Sequence, residues 1–349
     1  MEHLQFKITA LRQETADTKT YFIEEVSGKS VTYKAGQFIT LLVTLQAKEI
    51  RRSYSISSTP GVDEQIYFTI KRIENGELSR YLFDQLRAGD IITALPPTGR
   101  FTIDQPESEL TVFIAAGSGI TPVFSLIKHL LHAFLQPKVL LIYQNHSESE
   151  SIFRQELLLL QQKFEERFVL KEIFSQPSDH SRPWQRLNNN LLERILLQTI
   201  GNTSVHFYLC GPESFMRMVQ FTLKVMGYPQ EFIKRENFFA VAPPPPFIAD
   251  TTPHKVTIHY NNAVHQLLVA YPNNILEVAL RQHIQLPYSC RGGRCSTCTA
   301  RCTNGKIKMT INDVLTPKDM ADGLVLTCVS YPETDVELRY DLGTFKLEE

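Results

Sequence analysis

The sequence predicts a multidomain chain: an antiparallel β-barrel, then an α/β domain on a parallel sheet, then a small α+β domain rich in cysteine. Three observations predict it. The first hundred residues read as short strands with one helix, and the middle alternates strand and helix. A run of four prolines at 243–246 then precedes a segment holding five of the six cysteines. At 349 residues the chain is also too long for one ordinary core.

The barrel is expected over 1–104. Apolar or alternating runs at 6–8, 21–23, 65–73 and 90–94 are strand patterns, and one helix is expected over 78–86, just after Gly76. Short strands with a single helix suit a small antiparallel barrel. The α/β domain is expected over 105–240. The run 110–116 is apolar throughout and of buried-strand length. A Gly-rich turn and a helix over 122–135 follow. Strands at 138–143, 168–174 and 205–210 alternate with helices at 151–164 and 213–226, the order that builds a parallel sheet.

Residues 241–253 are expected to be a linker. Consecutive prolines suit neither a helix nor a central strand and favour a semi-rigid spacer; a surface loop within one domain is the alternative. The last domain is expected over 254–349. Strand patterns at 255–260 and 265–269 flank Asn261 and Asn262, a hairpin turn signal, and Asn274 suits the cap of a helix over 275–283.

Composition excludes several classes. Apolar residues are 43%, charged residues 21%, and the formal net charge is -1. No basic excess points to nucleic acid. The first residues lack a secretory pattern and no apolar stretch reaches membrane-spanning length. The expectation is a cytoplasmic protein with no nucleic-acid partner and no membrane insertion.

Clustered thiols in such a chain point to metal rather than disulfides. Cys290, Cys295, Cys298 and Cys328 are separated by four, two and 29 residues, the spacing of a plant-type two-iron cluster. A two-iron, two-sulfide rhomb takes two thiolates per iron. A tight loop supplies three of them and a distant segment closes the cage. Arg291, Gly292, Gly293, Arg294, Ser296 and Thr297 fill the gaps; the glycines let backbone N–H groups reach sulfur, and such bonds stabilise the more negative reduced state. Structural zinc is the alternative, but it favours paired CxxC or CxxH units and fits the first gap and the lone Cys328 poorly. Cys302 is expected to be a packed thiol outside the site.

The string from Cys290 to Cys298, with Leu326, Thr327 and Cys328, resembles a plant-type ferredoxin domain, which implies a β-grasp fold. The stretch 286–341, including 305–309, Asn312 and 326–330, is similar to the ferredoxin tail of reductase components of the phenylacetyl-CoA epoxidase type. The whole chain shares their order of parts: a flavin barrel and nicotinamide domain of the ferredoxin–NADP reductase superfamily, then a [2Fe-2S] domain.

Arg52, Ser53, Tyr54 and Ser55 resemble the RxYS flavin motif of that superfamily. The resemblance implies that Arg52 neutralises a flavin phosphate, that Tyr54 lies flat on the isoalloxazine ring, and that Ser55 offers a hydroxyl near its reactive N5. Gly76 and Ser79, at a helix start, are expected to hold a phosphate. The turn at 35–38, Gly89, Asp90 and 97–101 fit the same barrel. Such proteins use FAD or FMN; FAD is expected here because epoxidase-type reductases use it.

The string 117–122 lacks the third glycine of the dinucleotide fingerprint, Pro122 standing in its place. It resembles the GxGxTP loop of the superfamily. Gly117 and Gly119 are then expected to admit the pyrophosphate, with Thr121 as N-cap and Pro122 as first helical residue. Cys210, Gly211 and Pro212 resemble the CGP motif, which places Cys210 beside the nicotinamide where hydride leaves. Residues 235–238 resemble the late ExF segment: Phe238 or Phe239 would cover the flavin and Glu236 would relay a proton, or Glu236 is merely a solvated surface group. NADPH is expected, with NADH the alternative. No acid follows the strand at 138–143 before Glu148, and Arg154 offers charge for a 2′-phosphate. Against this, His146 stands where such relatives usually carry a basic residue. The expected path runs from NAD(P)H to FAD to [2Fe-2S] and on to a terminal oxygenase, epoxidase or desaturase. A redox- or iron-sensing protein and a zinc-stabilised interaction module are the rival readings.

Overall fold

The computed structural model describes residues 3–179, 181, 183–201, 203–238 and 251–340. They fall into two compact units, one running His3–Phe238 and the other beyond it. The proline run at 243–246 lies outside the described residues.

The first unit opens with β1 (Leu4–Thr15), β2 (Thr18–Glu25), β3 (Phe38–Leu45), β4 (Lys48–Ser55), β5 (Ile66–Lys71), α1 (Glu77–Gln85) and β6 (Ile91–Thr98). The strands pair antiparallel in the order β4-β3-β6-β1-β2-β5. A bridge between Ile56 and Phe68 brings the two ends of that row together. Phe6, Ile8, Ile39, Leu41 and Phe68 are fully buried inside, each contributing about 1.5–3 kcal/mol.

The same unit continues with β7 (Leu110–Ala116), α2 (Ile120–Ala133), β8 (Lys138–Asn145), α3 (Arg154–Lys163), β9 (Phe168–Phe174), α4 (Asn189–Thr199), β10 (Val205–Cys210), α5 (Glu213–Val225) and β11 (Ile233–Glu236). All five strands run parallel in the order β11-β10-β7-β8-β9. β7 is buried along its whole length, as a strand covered on both faces must be. The chain winds outward from β7 to β9 and then returns to the other side of β7. The strand order therefore reverses between β7 and β10, and the C-terminal ends of those two strands border the crevice where such sheets bind ligands. α4 has no counterpart in the sequence reading; Asn188 caps it by accepting from Leu191 N at 2.9 Å. α3 begins at Arg154 rather than 151, because Phe153 just before it adopts a left-handed backbone (φ 59°).

The second unit contains β12 (His254–Tyr260), β13 (Ala263–Val269), α6 (Ile275–Arg281), β14 (Thr299–Asn304), β15 (Ile307–Met309), α7 (Pro317–Ala321), β16 (Leu324–Leu326), β17 (Ser330–Pro332) and β18 (Val336–Arg339). The main sheet runs β13-β12-β18-β14-β16, with β12 and β18 parallel and the other neighbours antiparallel, while β15 and β17 form a small ladder. Asn261 and Asn262 both have positive φ, 51° and 59°, as a two-residue hairpin turn demands. Asn274 and Glu277 form a reciprocal capping box on α6. Among the described residues no helix is long and apolar enough to cross a membrane.

Candidate functional site

Two loops border the crevice between β7 and β10. After β7 the chain makes a 3-10 turn over Gly117–Gly119 and enters α2; after β10 it passes Gly211 and Pro212 into α5. The loops touch. A Cβ on Gly119 would lie 2.2 Å from Cys210 O and 2.8 Å from Gly211 N, so only glycine permits this approach. Gly117 differs: it has open space around it and a φ of 54°. The Tyr143 hydroxyl, from β8, donates to its carbonyl at 3.2 Å and steadies that peptide.

α2 starts earlier than the sequence reading expects. Ile120 is its first residue and Gly119 its cap, so Thr121 and Pro122 are second and third within the helix. Thr121 is therefore not the N-cap, and Pro122 is not the first helical residue. The 3-10 turn runs straight into the helix, leaving no extended residue to cap it, since Gly119 is itself helical (φ -61°, ψ -11°). The Thr121 hydroxyl instead donates to Ser118 O at 2.9 Å.

Cys210 ends β10 in register with Glu236 on β11. The thiol is fully enclosed. Burial, and then the Glu236 carboxylate, hold it well above its ordinary value, so it stays neutral. Glu236 itself is 9% exposed, a buried group rather than a solvated one. Phe238 follows, exposed; Phe239 lies outside the described residues.

On the barrel, β4 carries the RxYS residues. Arg52 is exposed, with Nη1 donating to Arg51 O at 2.8 Å; Tyr54 is half-buried and Ser55 buried. The Tyr54 ring lies 6.1 Å from Phe68, and burial pushes its hydroxyl above the ordinary range. Two residues past Ser55, the Ser57 hydroxyl is enclosed with no partner among the described residues. Such an unsatisfied buried group fits a site made to receive a polar ligand. Gly76 caps α1 without a side-chain bond. The Ser79 hydroxyl donates to Gly76 O at 3.3 Å and accepts from Ile73 N at 3.2 Å. The hydroxyl thus sits at the start of α1, beside the first-turn N–H groups.

A pocket of about 290 Å³ opens beyond the C-terminal ends of β8 and β9, lined by His146, Ser175, Gln176, Trp184, Gln185 and Arg186. Arg154 does not line it. Its guanidinium is forked onto Glu172, with Nε donating at 2.6 Å and Nη2 at 3.0 Å. The sequence reading missed Trp184 and Arg186, which lie on an irregular segment without periodicity to mark them.

In the second unit, the thiols of Cys290, Cys295, Cys298 and Cys328 come together. Cys290 is within hydrogen-bonding reach of Cys295 and Cys328, and Cys328 also of Cys298. Among the described residues no group of three or more metal-ligating side chains is arranged around a single ion. Backbone donors already face sulfur, Gly292 N at 3.4 Å from Cys290 Sγ and Cys290 N at 3.4 Å from Cys295 Sγ. The neighbouring Cys295 and Cys328 thiols pull the Cys290 thiol well below its ordinary value, and the same contacts push Cys295 and Cys328 up. Gly293, with φ at 72°, lets the loop pass Ile311 O, which a Cβ would meet at 2.7 Å. Arg294 pairs with Asp313 at 3.1 Å, and Arg291 stacks on Tyr288 with 4.4 Å to the ring centre. Cys302 sits half-buried on β14, its thiol donating to Asn304 O at 3.3 Å.

Comparison with known proteins gives the same three parts. Residues 5–103 match the oxidoreductase FAD-binding domain, 113–220 the oxidoreductase NAD-binding domain, and 259–333 the 2Fe-2S iron-sulfur cluster binding domain. The chain is 32% identical to one of the subunits of the 1,2-phenylacetyl-CoA epoxidase of Escherichia coli K12, over 96% of each chain. It is 30% identical to the ferredoxin reductase component of 3-ketosteroid-9-alpha-monooxygenase of Rhodococcus rhodochrous, over 94% of each. Among solved structures, phthalate dioxygenase reductase superposes with a TM-score of 0.60 at 22% identity, covering 97% of this chain and 98% of that one. An intact type IV self-sufficient cytochrome P450 monooxygenase gives 0.74 at 20%, covering 97% of this chain and 40% of that one. These two structural likenesses speak for the fold.

Proposed function

The chain belongs to the family of FAD- and [2Fe-2S]-dependent NAD(P)H reductase components of oxygenase systems, and from that membership we propose which of its residues perform each step and what it serves. When bound, nicotinamide would supply hydride, flavin the conversion from two electrons to one, and the cluster single-electron transfer. The residues of the chain bind, orient and enclose those groups.

Arg52 and the first turn of α1 behind Gly76 neutralise the flavin phosphates, while Ser79 holds their loop in shape. Tyr54 supports the flavin ring and Ser55 orients the approach at N5. Gly117 and Gly119 let the dinucleotide come against the start of α2, which Thr121 and Pro122 stiffen. Cys210, Gly211 and Pro212 bound the nicotinamide on the other side, with Glu236 behind the thiol and Phe238 over the flavin. Cys290, Cys295, Cys298 and Cys328 hold the cluster. The observation that carries this reading is the backbone contact of Gly119 with Cys210, which joins the two nicotinamide loops at the point where the sheet reverses its strand order.

NADPH is the preferred donor. Among the described residues no carboxylate lines the pocket beyond β8 and β9, whereas Arg186 does; a ribose 2′-OH calls for an acid there and a 2′-phosphate for a cation. The acceptor is a terminal oxygenase, epoxidase or desaturase, supported by the epoxidase and monooxygenase systems of the relatives. We place the protein in the cytoplasm, consistent with six free cysteines. We set the domain limits at 1–104, 105–240 and 254–349, with 241–253 as linker.

Anaerobic stopped-flow reduction tests the site. NADPH should bleach the flavin and cluster bands of the wild type, more effectively than NADH. Tyr54→Ala should lose flavin occupancy. Ser55→Ala should keep flavin yet be reduced roughly tenfold more slowly, the scale of about 1.4 kcal/mol of barrier, and Cys210→Ala should slow it less. A fully flavinated Ser55→Ala protein reduced at the wild-type rate would put the hydride elsewhere.

A further inference from the structure

Where α2 crosses the barrel, polar groups are buried in the seam. Ser125 Oγ donates to Ser58 O at 2.6 Å, and Thr59 Oγ1 donates to Ser125 O at 3.0 Å. Three residues further along the helix, Lys128 reaches across. It is only 5% exposed. Its ammonium donates to the Asp63 carboxylate and, at 2.7 Å, to the Tyr67 hydroxyl. It also lies 4.4 Å from the centre of the Phe124 ring and 5.1 Å from that of Tyr67. Asp63 accepts in addition from Thr59 N at 2.6 Å, and Tyr33 binds Ser58 Oγ at 2.7 Å. At the rim, Arg12 of β1 pairs with Glu156 of α3 at 2.8 Å.

Cohesion alone does not call for a lysine here. Burying an ammonium carries a desolvation cost, and a well-packed apolar side chain of similar length would join the two surfaces as well or better. A charged, hydrogen-bonded group held between one carboxylate, one hydroxyl and two ring faces adds direction, because few placements of the helix satisfy all of them. The partners are also close in sequence to the reacting centre. Ser58 and Thr59 continue the segment that contains Ser55, and Ser125 and Lys128 lie on the helix that begins at the glycine loop. A helix is stiff over two turns, so fixing Lys128 fixes the loop at its head.

We propose that Lys128 is a positioning residue for hydride transfer: through Asp63 and Tyr67 it sets how the nicotinamide loop of α2 faces the flavin segment around Ser55. This rests on the reading that Ser55 and the 117–122 loop bracket the transfer. Lys128 touches neither substrate nor flavin and acts through the helix. Since transfer needs contact and alignment, a shift near 1 Å can lower the rate by as much as about a hundredfold without abolishing binding.

The test uses the complete protein with FAD and cluster loaded. Lys128→Met should keep its flavin and its NADPH concentration dependence, while the limiting rate of flavin reduction falls about tenfold or more. The primary isotope effect with 4-deuterated NADPH should rise, and dithionite reduction of the cluster should be unchanged. Lys128→Arg should recover part of the rate, and Asp63→Asn should repeat the loss more mildly. A wild-type limiting rate and isotope effect in flavin-replete Lys128→Met would overturn the proposal, as would a loss confined to NADPH affinity. If Lys128→Met does not retain flavin, Asp63→Asn is judged by the same criteria. Ser55→Ala, run alongside, separates the two ideas. A slow Ser55→Ala with a wild-type Lys128→Met sinks this inference alone, whereas a wild-type Ser55→Ala sinks the site reading beneath it.

Discussion

Gly119→Ala isolates the contact between the two nicotinamide loops. The backbone at Gly119 is ordinary right-handed (φ -61°, ψ -11°), which alanine adopts freely. The expected harm is therefore purely steric. The new methyl would lie 2.2 Å from Cys210 O, 2.4 Å from Cys210 C and 2.8 Å from Gly211 N, all backbone atoms that no rotamer change can move. Restoring ordinary contact at about 3.5 Å forces the two loops roughly 1 Å apart. Overpacking of this kind costs about 1–3 kcal/mol of stability. The same separation should slow flavin reduction by up to about a hundredfold at saturating NADPH. Stopped-flow reduction and a thermal melt measure the two effects on one sample. Gly117→Ala is the contrasting variant. It meets open space but has a φ of 54°, so it should lose roughly 1–2 kcal/mol of backbone energy and weaken NADPH binding with little change in limiting rate. A Gly119→Ala protein with wild-type melting and wild-type rate would refute the reasoning, as would limiting rates equally depressed in both variants.

Three further outcomes are expected. Serine at Cys290, Cys295, Cys298 or Cys328 should abolish or severely disrupt the two-iron signal in paramagnetic resonance, whereas Cys302→Ser should leave it intact; a lost signal in Cys302→Ser would reassign the ligands. A chain ending at Phe238, the limit of the first compact unit, should retain FAD and reduce ferricyanide with NADPH but fail with cytochrome c. Failure with ferricyanide would break the proposed electron order. The Cys210 thiol is held above its ordinary value of 9.0 in the folded chain. Its contribution to stability should therefore be whole below pH 9 and decline above it, as the unfolded chain ionises while the folded one does not. Denaturant melts across that range should show a shallower alkaline decline in Cys210→Ala, and an identical slope would count against an enclosed neutral thiol.

Features decided by neighbours in sequence were legible. The Asn261–Asn262 turn and the Asn274 cap are local choices, and both formed where their side chains favour them. The glycine loop could be placed after β7, since an all-apolar strand followed by two glycines has few other uses. The structure adds partners, or changes local geometry, where the sequence carries no mark of it. Arg154 looked available for a phosphate, but Glu172, 18 residues on, holds it. Ser79 is expected at a phosphate, and its hydroxyl also bonds within its own loop. Thr121 has the chemistry of a cap, yet the 3-10 turn before it removed the extended residue a cap needs. The Lys128–Asp63 pair spans 65 residues and two layers of the fold, and no periodicity connects its members. Trp184 and Arg186 became visible only once β8 and β9 stood side by side.

The two cysteines outside the proposed cluster set differ in a way that matters for measurement. Cys210 is sealed and neutral, a poor target for alkylation, while Cys302 is half-buried on β14, its thiol raised by burial but reachable by solvent. With the cluster assembled, mildly alkaline conditions should direct a thiol-reactive probe to Cys302. The natural chain thus carries its own attachment point for a spin label or dye on the ferredoxin unit. Distances from that point to the flavin can be followed through a turnover without adding or deleting a single cysteine.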